Sequence, residues 1–200
     1  MYDLTHPVEP GMPTYPGDPI VEAWPNATVD DDGYSVTAFG MSTHTGTHID
    51  APRHVEPGGR ALSTYPIDRF RFDARLVDCA VGPEESIGEG YVPETDADLL
   101  LFRTDWSDYW GDDAYYDYPY LSAGAAERCA ELGYDVGIDA PSVDPMGADL
   151  IAHHELFRAD CLIIENLTNL GALPDRVVVY ALPLPLADTD GAPARVVAHE

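Results

Sequence analysis

Between residues 44 and 54 the chain reads His-Thr-Gly-Thr-His-Ile-Asp-Ala-Pro-Arg-His, which puts three imidazoles and one carboxylate within eleven residues. Imidazole and carboxylate are good ligands for a zinc-like divalent ion. A lone histidine near a buried strand ordinarily does no more than satisfy a local hydrogen bond, but four ligand-type groups at this density ask for another account. A helix would set His44 and His48 on one face and carry Asp50 round the cylinder, and Gly46, two threonines and Pro52 all disfavour it. A fully extended strand would separate His44 from His48 by roughly 13 Å at about 3.3 Å per residue, too far for ligands of one ion. The chain must therefore turn between them, and Gly46 is the residue free to do so. With that turn His44, His48 and Asp50 can converge, with His54 a further imidazole close by.

A second cluster lies about a hundred residues on, where His153-His154-Glu155 is followed by the apolar run Cys161-Leu162-Ile163-Ile164 and then Glu165. A carboxylate at the end of a buried strand is costly unless it is paired or bound to metal, so Glu165 calls for a cation. The alternative is a solvent-exposed glutamate just past the strand. Glu155 reads as an ordinary helix-surface residue.

The elements that must position these groups are read from pattern. Residues 1–25 are rich in proline and glycine, which limits them to extended segments and turns and suggests an arm lying over the domain. Ser35 to Ser42 alternates weakly as a strand, so the histidines fall at a strand's end or in the loop after it. Arg75 to Val81 and Ala97 to Arg103 read as buried strands, with loop from Pro83 to Pro93 between them. Trp106 to Tyr120 mixes aromatics with Asp, Gly and Pro and predicts a long ordered loop, in which Trp106, Tyr109 and Trp110 are candidates for a pocket wall. Ser122, the helix formers after it and Gly133 predict a capped helix. A short strand at Val136 to Ile138, a helix near Asp149 to Arg158, and strands at Cys161 to Ile164 and Val177 to Leu182 follow. Strand and helix alternate in this second half, which argues an α/β fold. Arg103 is expected to pair with a local aspartate, and His6 and His199 to be structural or solvated.

Two hundred residues with 45% apolar content suit one domain spanning 1–200. The chain starts with neither a basic segment nor an apolar core, and no apolar run approaches the roughly 18 residues of a membrane span, so a soluble, uncleaved, cytoplasmic protein is expected. Cys79, Cys129 and Cys161 are odd in number and widely spaced, which argues against disulfides or a Cys-type zinc site. Charge is lopsided: 36 acidic residues face 10 basic ones, net -26, and every basic residue is arginine. Such repulsion is screened within about 3 Å at 1 M salt against about 10 Å at 0.1 M, which points to a halophile's cytoplasm. Phosphate backbones would be repelled, which sets nucleic acid aside.

At residues 44–54 the sequence resembles the cyclase-family metal-dependent hydrolases, which include bacterial kynurenine formamidase. Their hallmark His-x-Gly-Thr-His-x-Asp-x-Pro-x-His is matched at every specified position. The resemblance extends to Asp3-Leu4-Thr5, Pro16-Gly17-Asp18-Pro19, Arg103-Thr104, Gly137 to Asp144 and Glu165 to Leu170. It implies an α/β fold with a mixed, barrel-like sheet and flanking helices, assembled as a homodimer or larger, with the arm packed on a partner subunit. It further implies metal-ligand roles for His44, His48, Asp50, His153 and Glu165, with Asp50 and Glu165 bridging two divalent ions, zinc or manganese. The spacing to Glu165 in the family selects His153 over His154. His54 takes the family's acid/base position. Tyr15 stands where formamidases carry a tryptophan thought to stack on the aromatic amide, and tyrosine can still stack.

What the resemblance implies chemically is hydrolysis of an N-formyl or cyclic amide by a metal-activated hydroxide, with His54 protonating the departing nitrogen. N-formylkynurenine would give formate and kynurenine. Relatives that hydrolyse isatin share the metal motif, so the family fixes the chemistry better than the substrate. A non-catalytic metal-binding module is the competing class, but a structural zinc site is normally closed by four ligands, whereas this cluster has a spare imidazole and an excess of carboxylate.

Overall fold

The computed structural model describes all 200 residues. Its strands are β1 (Tyr2–Asp3), β2 (Glu22–Ala27), β3 (Val36–Gly40), β4 (His48–Asp50), β5 (Arg71–Asp78), β6 (Ser86–Ile87), β7 (Leu99–Arg103), β8 (Tyr120–Leu121), β9 (Asp135–Ile138), β10 (Ile163–Glu165), β11 (Arg176–Pro183) and β12 (Gly191–His199). The α-helices are α1 (Val29–Asp32), α2 (Ala123–Leu132) and α3 (Ile151–Arg158). Seven strands close into a barrel in the order β12-β11-β5-β7-β9-β10-β4, with β4 returning to pair with β12. The run β5-β7-β9-β10 is parallel and the remaining pairings are antiparallel, giving the mixed barrel expected from the resemblance.

Side chains alternate across a strand, and the barrel sorts them into two cores. Leu99 and Leu101 of β7 join Ile49, Phe72, Ile164, Val179 and Val196 in the interior, to which all the barrel strands but β9 contribute. Leu100 and Phe102 face outward and pack with Val136, Ile138 and Ile163 against Ala125, Cys129, Leu156 and Phe157 of the helices. Strands covered on both faces read as unbroken apolar runs, which is why Leu99 to Phe102 shows no alternation in sequence. Each such side chain stabilises the fold by about 1.5–3 kcal/mol when fully buried. On β9, Gly137 leaves room for the interior: a Cβ there would come within 2.7 Å of Leu101 and 2.9 Å of Leu167.

Helix α2 starts and stops as its sequence predicts, with the Ser122 hydroxyl accepting from the Ala125 amide at 3.1 Å and Gly133 closing it at φ 72°. Helix α3 begins at Ile151, two residues later than expected, without a capping side chain on Leu150. The Asp144 carboxylate accepts instead from the amides of Ala152 (2.7 Å) and His153 (3.0 Å), satisfying donors the first turn leaves open.

Three expectations need correction. The proline-rich arm is more ordered than an extended cover: β1 pairs with β12, and β2 pairs with β3 in a hairpin that continues past residue 25 to Gly40. The stretch from Pro83 to Pro93 contains β6, which pairs with β8, and the aromatic stretch after Arg103 winds into 3-10 turns at Trp106–Tyr109 and Asp113–Tyr116. Strand β12, the longest, was not foreseen at all. Its sequence Gly-Ala-Pro-Ala-Arg-Val-Val-Ala-His is poor in β-branched residues and carries a proline, yet pairing on both edges overrides that weak propensity. All three cysteines are buried and unpaired. No helix is long and apolar enough to cross a membrane.

Candidate functional site

The site lies on the outer face of the barrel where β4 and β10 pair. Ile49 points inward, so His48 and Asp50 point outward, and the antiparallel register sets Glu165 opposite His48 and Ile163 opposite Asp50. Helix α3 covers them and contributes His153. The turn required between His44 and His48 is made at Gly46, at φ 60°, where a Cβ would lie 2.9 Å from the Met12 methyl.

Hydrogen bonds fix which nitrogen of each ring is free. His48 Nδ1 lies 2.8 Å from the Gly46 carbonyl, which only accepts, so Nδ1 carries a proton and Nε2 is the nitrogen left to face the site. That Nε2 has no hydrogen-bond partner and lies 3.2 Å from Asp50 Oδ1 and 3.5 Å from Glu165 Oε2. His153 is oriented the same way: its Nδ1 donates to Asp144 at 2.7 Å, and its Nε2 faces Asp50 Oδ2 at 3.6 Å and Glu165 Oε1 at 3.5 Å. Asp50 Oδ2 is likewise buried and unpartnered. Imidazole nitrogens and carboxylate oxygens that converge while buried need positive charge among them, supplied by protons on the rings or by a divalent ion in their place, so the donor set fits divalent metal.

His44 places Nδ1 2.7 Å from Asp50 Oδ1 and Nε2 3.0 Å from Asp190 Oδ2. The imidazole of His54 stacks obliquely on that of His44, centroids 4.2 Å apart, and its Nδ1 is 3.7 Å from Asp190 Oδ2. Three sets of ligand atoms each lie within 4.8 Å of one another: His44, His48 and Asp50; His44, His54 and Asp190; and Asp50, His54 and His153.

The electrostatics follow from this crowding. Burial opposes charge on His44 and His153, yet Asp50 and Asp190 beside the first, and Asp144 and Asp50 beside the second, hold each up to about 10. Burial together with the Asp50 charge pushes Glu165 up to about 7, while against its own burial Asp50 is drawn well below the usual carboxylate range by His48 and His44. His54, for which burial dominates, falls below its ordinary value. Carboxylates and imidazoles here are polarised toward bound positive charge.

A cavity of about 280 Å³ opens onto these groups, lined also by Tyr15, Asp18, Tyr115, Tyr116 and Asn166. All the residues anticipated for chemistry, His44, His48, Asp50, His54, His153, Glu165 and Tyr15, border it. His154 does not: its Nδ1 pairs with Glu56 at 2.7 Å. Nor do Trp106, Tyr109 and Trp110 form the wall. Trp106 is buried with its Nε1 donating to the Tyr115 carbonyl, and Trp110 stacks on His6 at 3.8 Å; the wall is made by Tyr115 and Tyr116 from the same stretch. Arg103 pairs as expected with Asp105 (2.7 Å) and Asp78 (3.1 Å).

Sequence reading missed Asp144, Asp190 and Gly191. Asp144 carried a signal, an aspartate ahead of a helix that lacks its own cap, but Asp190-Gly191 opens the unforeseen strand within an acidic chain and offered none.

The Cyclase family model matches residues 2–145. The kynurenine formamidase of Salinibacter ruber is 35% identical over 212 residues, covering 100% of this chain and 97% of that protein. Among solved structures, a protein from Bacillus stearothermophilus described as a predicted metal-dependent hydrolase matches with TM-score 0.81 and 31% identity, over 98% of this chain and 96% of that one. Isatin hydrolase A from Labrenzia aggregata, bound to benzyl benzoate, matches with TM-score 0.85 and 25% identity, over 98% and 91%.

Proposed function

Because this chain belongs to the cyclase family, we propose that it is a metal-dependent amide hydrolase that converts N-formylkynurenine to kynurenine and formate. The observation that carries the reading is that the buried Nε2 atoms of His48 and His153 both face oxygens of Asp50 and Glu165 from 3.2–3.6 Å. His44, His48 and Asp50 would hold one divalent ion, zinc or manganese, and Asp50, His153 and Glu165 a second. When bound, such ions polarise the amide carbonyl and lower the pKa of water at the site towards about 7.

The chain's own groups do the rest. His54, held neutral by burial, takes the proton of the attacking water as the carbon–oxygen bond forms, then delivers it to the departing nitrogen as the carbon–nitrogen bond breaks. Gly46 and Asp144 keep the rings of His48 and His153 turned to the cavity. Tyr15, Tyr115 and Tyr116 provide aromatic surface for the substrate's ring.

The hairpin of β2 and β3 exposes Trp24 and Phe39, which supports a homodimer or larger assembly through the arm. The net charge of -26 supports a saline cytoplasm as the working medium. The test is release of kynurenine, followed by absorbance in molar salt with zinc or manganese added and a chelator control. Chelator-sensitive turnover supports the formamidase. A folded, metal-loaded protein inert to N-formylkynurenine but active on isatin would move the assignment to the cyclic amides, the alternative that the isatin hydrolase match favours.

A further inference from the structure

Each of the three metal-facing histidines has its second ring nitrogen occupied, but by different means. His48 uses a backbone carbonyl and His153 uses Asp144, while His44 uses Asp190, a residue 146 positions away that the family motif does not contain. Asp190 is held firmly at its other end. Its Oδ1 accepts from the Thr43 hydroxyl at 3.0 Å and from the Gly191 amide at 3.1 Å, and its carbonyl accepts from the Ala51 amide at 2.8 Å. Its Oδ2 is thereby aimed at two rings, 3.0 Å from His44 Nε2 and 3.7 Å from His54 Nδ1. The next residue makes this approach feasible: a Cβ on Gly191 would lie 2.9 Å from His44 Cε1 and 3.0 Å from Asp50 Oδ1.

We propose that Asp190 is a positioning residue shared by two functions: it holds His44 by Nε2 with Nδ1 turned to Asp50, and it faces Nδ1 of His54 so that the Nε2 of that ring is left for the cavity. One carboxylate then sets the orientation of a metal ligand and of the proton carrier together. A carboxylate on the far nitrogen of a metal-bound imidazole fixes its tautomer and raises its basicity, and its loss typically weakens metal binding by about 10–100-fold. The inference rests on the metal-centre reading given above.

The test is zinc titration of the metal-free protein against a competing chelator, for wild type, Asp190→Asn and Thr43→Val, with thermal melting of each metal-free protein. Asp190→Asn is expected to lose about 10–100-fold in zinc affinity with the metal-free melting point unchanged. At saturating zinc its kcat should fall while KM stays near that of wild type, and Asp190→Glu should recover part of the loss. If Asp190→Asn folds poorly, Thr43→Val replaces it, and a several-fold weaker zinc affinity is expected from an aspartate no longer anchored at Oδ1. Wild-type affinity in the folded variants would overturn this inference and leave the metal-centre reading standing. Failure of the wild-type protein itself to bind zinc or manganese would overturn both.

Discussion

His48 and Glu165 face each other across the antiparallel pair of β4 and β10, with Nε2 and Oε2 3.5 Å apart. The inward pair Ile49–Ile164 beside them fixes the register, since a slip of one residue would turn Glu165 into the barrel and an isoleucine out to the site. The hydrophobic interior therefore brings a buried imidazole and a buried carboxylate face to face.

Asp50 is the point where this pair meets His153, its two oxygens lying 3.2 Å from His48 Nε2 and 3.6 Å from His153 Nε2. Asp50→Ala should empty both metal positions. A metal count by inductively coupled plasma that stays at the wild-type value would remove its bridging role.

His54 is expected to act on protons without holding the metal. His54→Ala should keep the wild-type metal content while kcat falls by about 10²–10⁴-fold, the usual contribution of a general acid/base. Loss of metal from this variant would make the ring a ligand instead.

Gly191→Ala should be poorly tolerated, because the added methyl meets the Ile49 carbonyl as well as the His44 ring, each at 2.9 Å. Overpacking of this kind costs about 1–3 kcal/mol. Urea unfolding of the metal-free variant measures it, and an unchanged midpoint would mean that β12 shifts freely.

His6 makes stability depend on pH. Burial pushes its folded pKa down to about 4 from the ordinary 6.5, as the ring stacks on Trp110 with Nε2 unpartnered. Between those values the unfolded chain binds a proton that the folded chain refuses, so stability rises with pH. The His6 contribution is complete above 6.5 and lost as pH falls towards 4, amounting to up to about 2 kcal/mol after allowance for the ring's remaining solvent contact. Between pH 7.5 and 4.5 the wild type should lose up to about 2 kcal/mol more unfolding free energy than His6→Phe, which lacks the titrating ring. An identical pH dependence in both would exclude His6 as the source.

The motif of residues 44–54 made most of the candidate site legible because its histidines and Asp50 are close in sequence, and one turn at Gly46 suffices to fold them together. Helix α2 was legible for a similar reason: its start and stop signals sit on its own ends. What could not be read was long-range. Asp190 acquires meaning only when β12 closes the barrel on β4, and β12 lacks the apolar alternation that would announce a strand. The aromatic stretch offers Trp106, Tyr109 and Trp110 as a candidate pocket wall, but which of its rings face the cavity depends on 3-10 turns that composition does not encode, and Tyr115 and Tyr116 line it instead.

Closure of the barrel by β12 also orders events during biosynthesis. His44, His48 and Asp50 leave the ribosome early, yet the strand that seats His44 and pairs with β4 is the last in chain order. The seating of His44 on Asp190 therefore depends on contacts spanning some 140 residues. Such non-local closure is intrinsically slow, so the seating of His44 is expected among the late steps of folding.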